Sequence, residues 1–178
     1  KSNLNSFNMN IKKNLVLLGM MGVGKTGIGK YVASRLKINF FDIDKLIEKK
    51  NEMTVAEIFK TKGENYFRKE EELVTIKYLN KKQSVISLGG GGFINDKIRK
   101  KVLAECTSVW LNINIETIYA RLKKSKKRPL IYKNGQNNIN KIFMERKNIY
   151  SLANHKVSCD NLSINQISNK IIKLYEAI

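Results

Sequence analysis

Short apolar runs alternate with stretches of helical periodicity along the chain. Apolar runs at 14–18, 38–42, 84–88, 108–113 and 155–159 predict five strands. Between and after them, apolar residues recur at three- and four-residue spacing over 25–36, 43–50, 54–60, 64–80, 95–104, 115–123, 138–152 and 164–177, which predicts helices. Such alternation implies an α/β fold, a parallel sheet with helices on both faces. One basic stretch, 123–138 (KKSKKRPLIYKNGQNN), has no period and holds the sole proline, Pro129, together with Gly135. It reads as a mobile surface loop. No repeat or Gly/Pro/Ser-rich linker divides residues 1–178, so a single domain is expected, with residues 1–10 as a loose, Asn-rich terminus.

A chain of 178 residues with 42% hydrophobic content can bury a real core. Its longest apolar stretch, around Leu15–Val23, is too short to span a bilayer, and no charged-then-apolar leader precedes it, so neither membrane span nor signal peptide is expected. Cys106 and Cys159 are far apart and form no metal-binding pair, which suits a reducing, cytoplasmic setting. The net charge of +19 raises nucleic-acid binding as a possibility, but the lysines are scattered and interleaved with Glu48, Glu52, Glu57, Glu64 and Glu70–Glu72. We read a solvated basic surface, whose field would still attract anionic substrates. His155 and Trp110 read as packing residues, and the aromatic residues are too dispersed for base-stacking platforms.

The sharpest chemical signal is Gly19-Met20-Met21-Gly22-Val23-Gly24-Lys25-Thr26, which fits G-x-x-x-x-G-K-[ST] between a strand and a helix. Gly22, Val23, Gly24 and Gly27 would bring backbone amides to phosphates, Lys25 would reach the outer phosphates of ATP, and the Thr26 hydroxyl would ligate Mg²⁺. Asp42 and Asp44 are two of only four Asp. Alternation puts them on one side of an extended segment, one to orient hydrated Mg²⁺ and the other to accept a hydroxyl proton. Helix capping by Asp44 is the competing explanation, and it accounts for one Asp but not both.

Gly89, Gly90, Gly91 and Gly92 follow the third strand, either as a flexible turn or as a floor that a ligand approaches closely. Six Arg stand against 28 Lys, so an Arg position suggests a need for the planar, bidentate fork. Arg68 and Arg146 would suit a carboxylate. Spacing alone favours plain ion pairs for both, Arg68 with Glu64, Glu71 or Glu72. Arg121 and Arg128 flank the basic loop, as phosphate-closing groups or as solvated charge.

Taken in order, these pieces resemble shikimate kinase. The likeness runs through 19–26, Phe40-Phe41-Asp42-Ile43-Asp44, Ile58-Phe59, Gly63-Glu64…Phe67-Arg68…Glu71, Leu88-Gly89-Gly90-Gly91, Arg128-Pro129-Leu130 and Glu145-Arg146…Tyr150…Ala153, covering roughly 12–160. The resemblance implies a P-loop three-layer α/β/α fold with a five-stranded parallel sheet in the order 2-3-1-4-5, a mobile lid at about 123–138 and a monomer. It implies transfer of the ATP γ-phosphoryl group to the 3-hydroxyl of shikimate, on the route to aromatic amino acids. It implies Asp44 on the shikimate hydroxyls and as base, Arg68 and Arg146 on the carboxylate, and Gly89–Gly91 as backbone contacts. Asp42 would support Mg²⁺ beside Thr26, Arg121 would lie near the nucleotide, and Arg128 would come in over the phosphates with the lid.

Two departures stand out. Gly27 occupies a position where the family commonly has Ser or Thr, and Cys159-Asp160-Asn161-Leu162-Ser163 lacks the basic and proline features usual in the adenine loop. Other functions compatible with a phosphate loop are a gluconokinase, a nucleoside-monophosphate kinase, or a non-catalytic basic binding protein.

Overall fold

The strand β1 (Leu15–Leu18) is Leu-Val-Leu-Leu with every residue buried. Successive side chains of a strand point to opposite faces, so this strand needs cover on both. It lies at the centre of one parallel sheet with β2 (Asn39–Asp42), β3 (Ser84–Ser87), β4 (Thr107–Asn112) and β5 (His155–Ser158), in the order β2-β3-β1-β4-β5. That is the expected order, in a computed structural model that describes residues 13–124 and 135–178. The register pairs Leu17 with Ser87 and Leu17 with Val109, so the loops after β1 and β3 leave the sheet side by side.

The helices are α1 (Lys25–Leu36), α2 (Ile43–Asn51), α3 (Val55–Thr61), α4 (Glu64–Leu79), α5 (Asp96–Glu105), α6 (Ile115–Lys124), α7 (Gly135–Tyr150) and α8 (Ile164–Glu176). Their starts follow local chemistry. Thr54 with Glu57 and Ser163 with Gln166 form capping boxes, and Asn95 caps α5. One core of buried apolar residues runs from Leu15 and Val85 on the sheet to Ile28, Ile98, Ile118 and Ile171 on the helices. No helix among the described residues is long and apolar enough to cross a membrane.

Three expectations change. Asp42 and Asp44 do not share an extended segment: the helix starts at 43 as its period predicts, with Ile43 wholly buried, and Asp42, not Asp44, caps it by accepting from the Lys45 amide at 3.2 Å. Burial of Ile43 thus turns the two carboxylates apart. Within the stretch 123–138, expected as a loop, Lys123 and Lys124 finish α6 and Gly135 to Asn138 begin α7. The lid and Arg128 fall in 125–134, outside the described residues. Finally, Gly92–Ile94 forms a 3₁₀ turn, which a glycine run does not announce.

Candidate active site

The loop from Gly19 to Thr26 carries the chain from β1 into α1. Gly22 and Gly24 sit at φ 80° and 102°, a region that side chains other than glycine rarely tolerate. No side chain caps α1 and its first turn has no acidic residue. The positive end of the helix dipole faces the loop with no acidic residue in the helix's own first turn, which suits an anion. The buried Lys25 amine donates to the carbonyls of Gly19 and Met20 at 2.8 and 2.9 Å. Arg121, on α6, donates to the carbonyls of Gly22 and Val23, both at 3.3 Å. It therefore lies against the loop as expected. The Thr26 hydroxyl donates to Asp42 Oδ2 at 2.5 Å, joining the start of α1 to the end of β2.

A second cluster surrounds the glycines after β3. A Cβ on Gly89 would lie 2.5 Å from Asp44 Oδ1 and 2.8 Å from Glu71 Oε1. On Gly90 it would lie 3.2 Å from Arg146 Nη1, and on Gly91 it would run into Arg68 Nη1. The groups that approach the run closely are two carboxylates and two guanidiniums of the protein itself. The fold draws them from α2, α4 and α7 onto one floor. Asp42 and Asp44 part company here. Asp42 faces the phosphate loop and Asp44 faces the glycine floor.

Arg68 makes the ion pairs that spacing suggested, donating to Glu71 at 2.7 Å and to Glu64 at 3.2 Å, while Glu72 turns to Asn95 and Lys97. Its guanidinium is also at the floor, beside Gly91. Burial lowers the Arg68 pKa, but the Glu71 and Glu64 carboxylates outweigh it and hold it above its usual value. Glu71 was named in the sequence only as part of a match and as a partner for Arg68. Its side chain is 2% exposed. Burial pushes its pKa up, opposed by the Arg68 pair, and the Asp44 charge adds to the rise. Its burial was legible, though not its role: Phe67, Glu70, Glu71 and Val74 lie on one buried side of α4.

Two buried polar atoms at this floor have no hydrogen-bond partner, Glu71 Oε1 and Arg146 Nη1. Unmatched buried groups are costly and rare in folded proteins. One acceptor and one cationic donor left open on the same floor suit a ligand that carries both hydroxyls and a negative charge. Gly27, at the first turn of α1, has room: a Cβ there would make ordinary contact with Ile164 at 3.5 Å. The segment after β5 is held by Asp160, which accepts from the Asn114 amide at 2.8 Å, and by the Ser163 cap.

A phosphate loop after β1 and a polar acceptor floor after β3, on a five-stranded parallel sheet, define a P-loop phosphotransferase. A family model described as shikimate kinase matches residues 21–176. The chain belongs to the shikimate kinase family and is an ATP-dependent kinase that works with Mg²⁺. Shikimate kinases of Bacillus pumilus and Bacillus subtilis are 38% and 39% identical to it over 163 and 164 residues, spanning 90% and 91% of this chain and 88% of each relative. A solved structure of shikimate kinase from Acinetobacter baumannii in complex with shikimate superimposes with a TM-score of 0.88 at 28% identity, over 93% of this chain and 94% of that one. A gluconokinase from Sinorhizobium meliloti 1021, at a TM-score of 0.58 and 11% identity, shares the fold alone.

Proposed function

We propose that this site passes the γ-phosphoryl group of ATP to the 3-hydroxyl of shikimate, with the triphosphate on Gly22–Thr26 and the acceptor between Asp44, Arg68, Arg146 and Gly89–Gly91. The observation that carries the acceptor assignment is the pair of unmatched atoms, Glu71 Oε1 and Arg146 Nη1, facing one glycine floor. A ring bearing one carboxylate and several hydroxyls supplies what both lack. Glycine at 89, 90 and 91 keeps the floor low enough for the ring to reach Asp44 and the two guanidiniums.

In this mechanism the protein chiefly positions and neutralises charge. Arg68 and Arg146 fix the acceptor by its carboxylate, and Asp44 presents the hydroxyl toward the phosphate loop. As the hydroxyl oxygen bonds to the γ-phosphorus, Asp44 takes the proton and ADP departs with the electrons of the broken P–O bond. Lys25 and the α1 amides stabilise the charge on the phosphates. Thr26 Oγ1 and Asp42 Oδ2 are hard oxygen donors already side by side, and they would hold Mg²⁺. When bound, Mg²⁺ neutralises charge on the transferring phosphates.

Two free, buried cysteines support a cytoplasmic setting. ADP release with Mg²⁺, ATP and shikimate, run beside gluconate and nucleoside monophosphates, tests the reading. Turnover is expected with shikimate alone. Turnover with another acceptor in its place would overturn the carboxylate clamp and leave the phosphate-loop kinase standing.

A further inference from the structure

Tyr150 ends α7 and is 1% exposed, and the assignments above give its hydroxyl no task. The ring packs beside Trp110, with centroids 6.0 Å apart. The hydroxyl donates to the carbonyl oxygen of Gly90 and lies 3.9 Å from Met20 Sδ in the phosphate loop. One helical turn earlier on the same face stands Arg146, whose Nη1 is the group nearest a Cβ on Gly90, at 3.2 Å. Burial raises the Tyr150 pKa, and the neighbouring Arg146 guanidinium pulls it back through its charge and hydrogen bonding. The groups facing this hydroxyl from the packed elements are Arg146 on its own helix and, further off, Glu71 and Arg68 of α4.

A run of four glycines has more backbone freedom than any other tetrapeptide. Its second member is pinned here by a side chain from the helix that carries Arg146. We infer that Tyr150 is a positioning residue for the acceptor: by holding the Gly90 carbonyl against α7, its hydroxyl sets the spacing between the Gly90 backbone and the Arg146 guanidinium that grips the substrate carboxylate. The inference rests on the carboxylate assignment of Arg146. Tyr150 touches neither substrate nor reacting atoms. Its effect passes through Gly90 and Arg146.

The test is Tyr150→Phe in the full chain, which keeps the ring and deletes one oxygen. The expected result is a rise of about tenfold in the KM for shikimate, with kcat and the KM for ATP within about twofold of the unsubstituted enzyme. A hydroxyl that only stabilised the fold would lower Tm and leave both KM values alone. Change in both KM values or in neither overturns the proposal. Arg146→Ala serves as the parallel arm. If it leaves the shikimate KM unchanged, the carboxylate assignment itself is wrong. If it raises that KM while Tyr150→Phe does not, only the role of Tyr150 fails. A crystal structure of the unsubstituted enzyme with shikimate bound gives an answer independent of any variant's folding: Tyr150 Oη must remain in hydrogen-bond contact with the Gly90 carbonyl, and a separation beyond about 3.5 Å overturns the proposal.

Discussion

The donor and acceptor halves of this site recognise their ligands by opposite means. On the donor side, one contiguous octapeptide shapes backbone amides and a helix end into a cradle, and side chains mainly brace it: Lys25 ties Gly19 and Met20, and Arg121 ties Gly22 and Val23. On the acceptor side the backbone recedes, and four charged side chains from three helices converge over glycine. A triphosphate is a generic string of anionic oxygens that amides can bind. A ring with one carboxylate and several hydroxyls is a particular shape, and only placed side chains distinguish it. The two halves should therefore fail differently.

The largest effect should come where they meet. Asp44→Asn is expected to lower kcat by about 10²- to 10⁴-fold, the reach of one general base, with little change in Tm. Near-normal turnover in that variant would remove Asp44 from the chemistry. Arg68→Ala is expected to raise the shikimate KM by about 10- to 100-fold, the worth of a charge-assisted bidentate contact, while the ATP KM stays within about twofold. A change confined to ATP would erase the division between the halves.

Glu71 sharpens the comparison through pH. Its folded pKa lies above its ordinary 4.5, chiefly from burial. Between 4.5 and that raised value the native state holds a proton that the unfolded chain has lost. Stability from this group is thus full below pH 4.5 and declines as pH rises through the folded value. Glu71→Gln removes the decline, so the Tm of the variant relative to the parent should climb with pH from about 4.5 upward. A pH-independent Tm difference would show that Glu71 titrates normally. The smallest effect belongs to the donor side. Gly27→Ser adds a hydroxyl where a Cβ fits at 3.5 Å, and should lower the ATP KM by about threefold and stabilise α1 by about 0.5 kcal/mol, leaving the shikimate KM unmoved.

The same contrast explains what the sequence disclosed. The donor side is local, so Gly19–Thr26 announces it outright. The five strands and their order followed from alternation and resemblance, with boundaries off by a residue or so, as at Asn39 for the strand expected from 38. The acceptor side is assembled by packing. Spacing gave Arg68 its ion pairs but could not say that they also aim it at Gly91. Glu70, Glu71 and Glu72 are adjacent and chemically alike, and the helical phase set by Phe67 and Val74 buries Glu70 and Glu71 alike, so spacing could not say which of them reaches the glycine floor. Glu70 instead meets Lys50 and Asn51 of α2. The Asp42–Asp44 pair misled because alternation holds only while the chain stays extended, and the buried Ile43 belongs to a helix. Tyr150 entered only as part of the resemblance, because nothing local links it to a glycine 60 residues away.

Because β1 and β3 are hydrogen-bonded neighbours with Leu17 opposite Ser87, the two glycine turns leave the sheet level with each other, and a Cβ on Gly90 would lie 3.5 Å from the Met21 amide. Adjacent strands are spaced about 4.8 Å apart by their hydrogen bonds. The sheet therefore acts as a ruler between the two substrates. Side-chain changes can tilt or release either one, but the gap a phosphoryl group must cross is graduated by backbone pairing, and lengthening it would mean breaking the ladder itself.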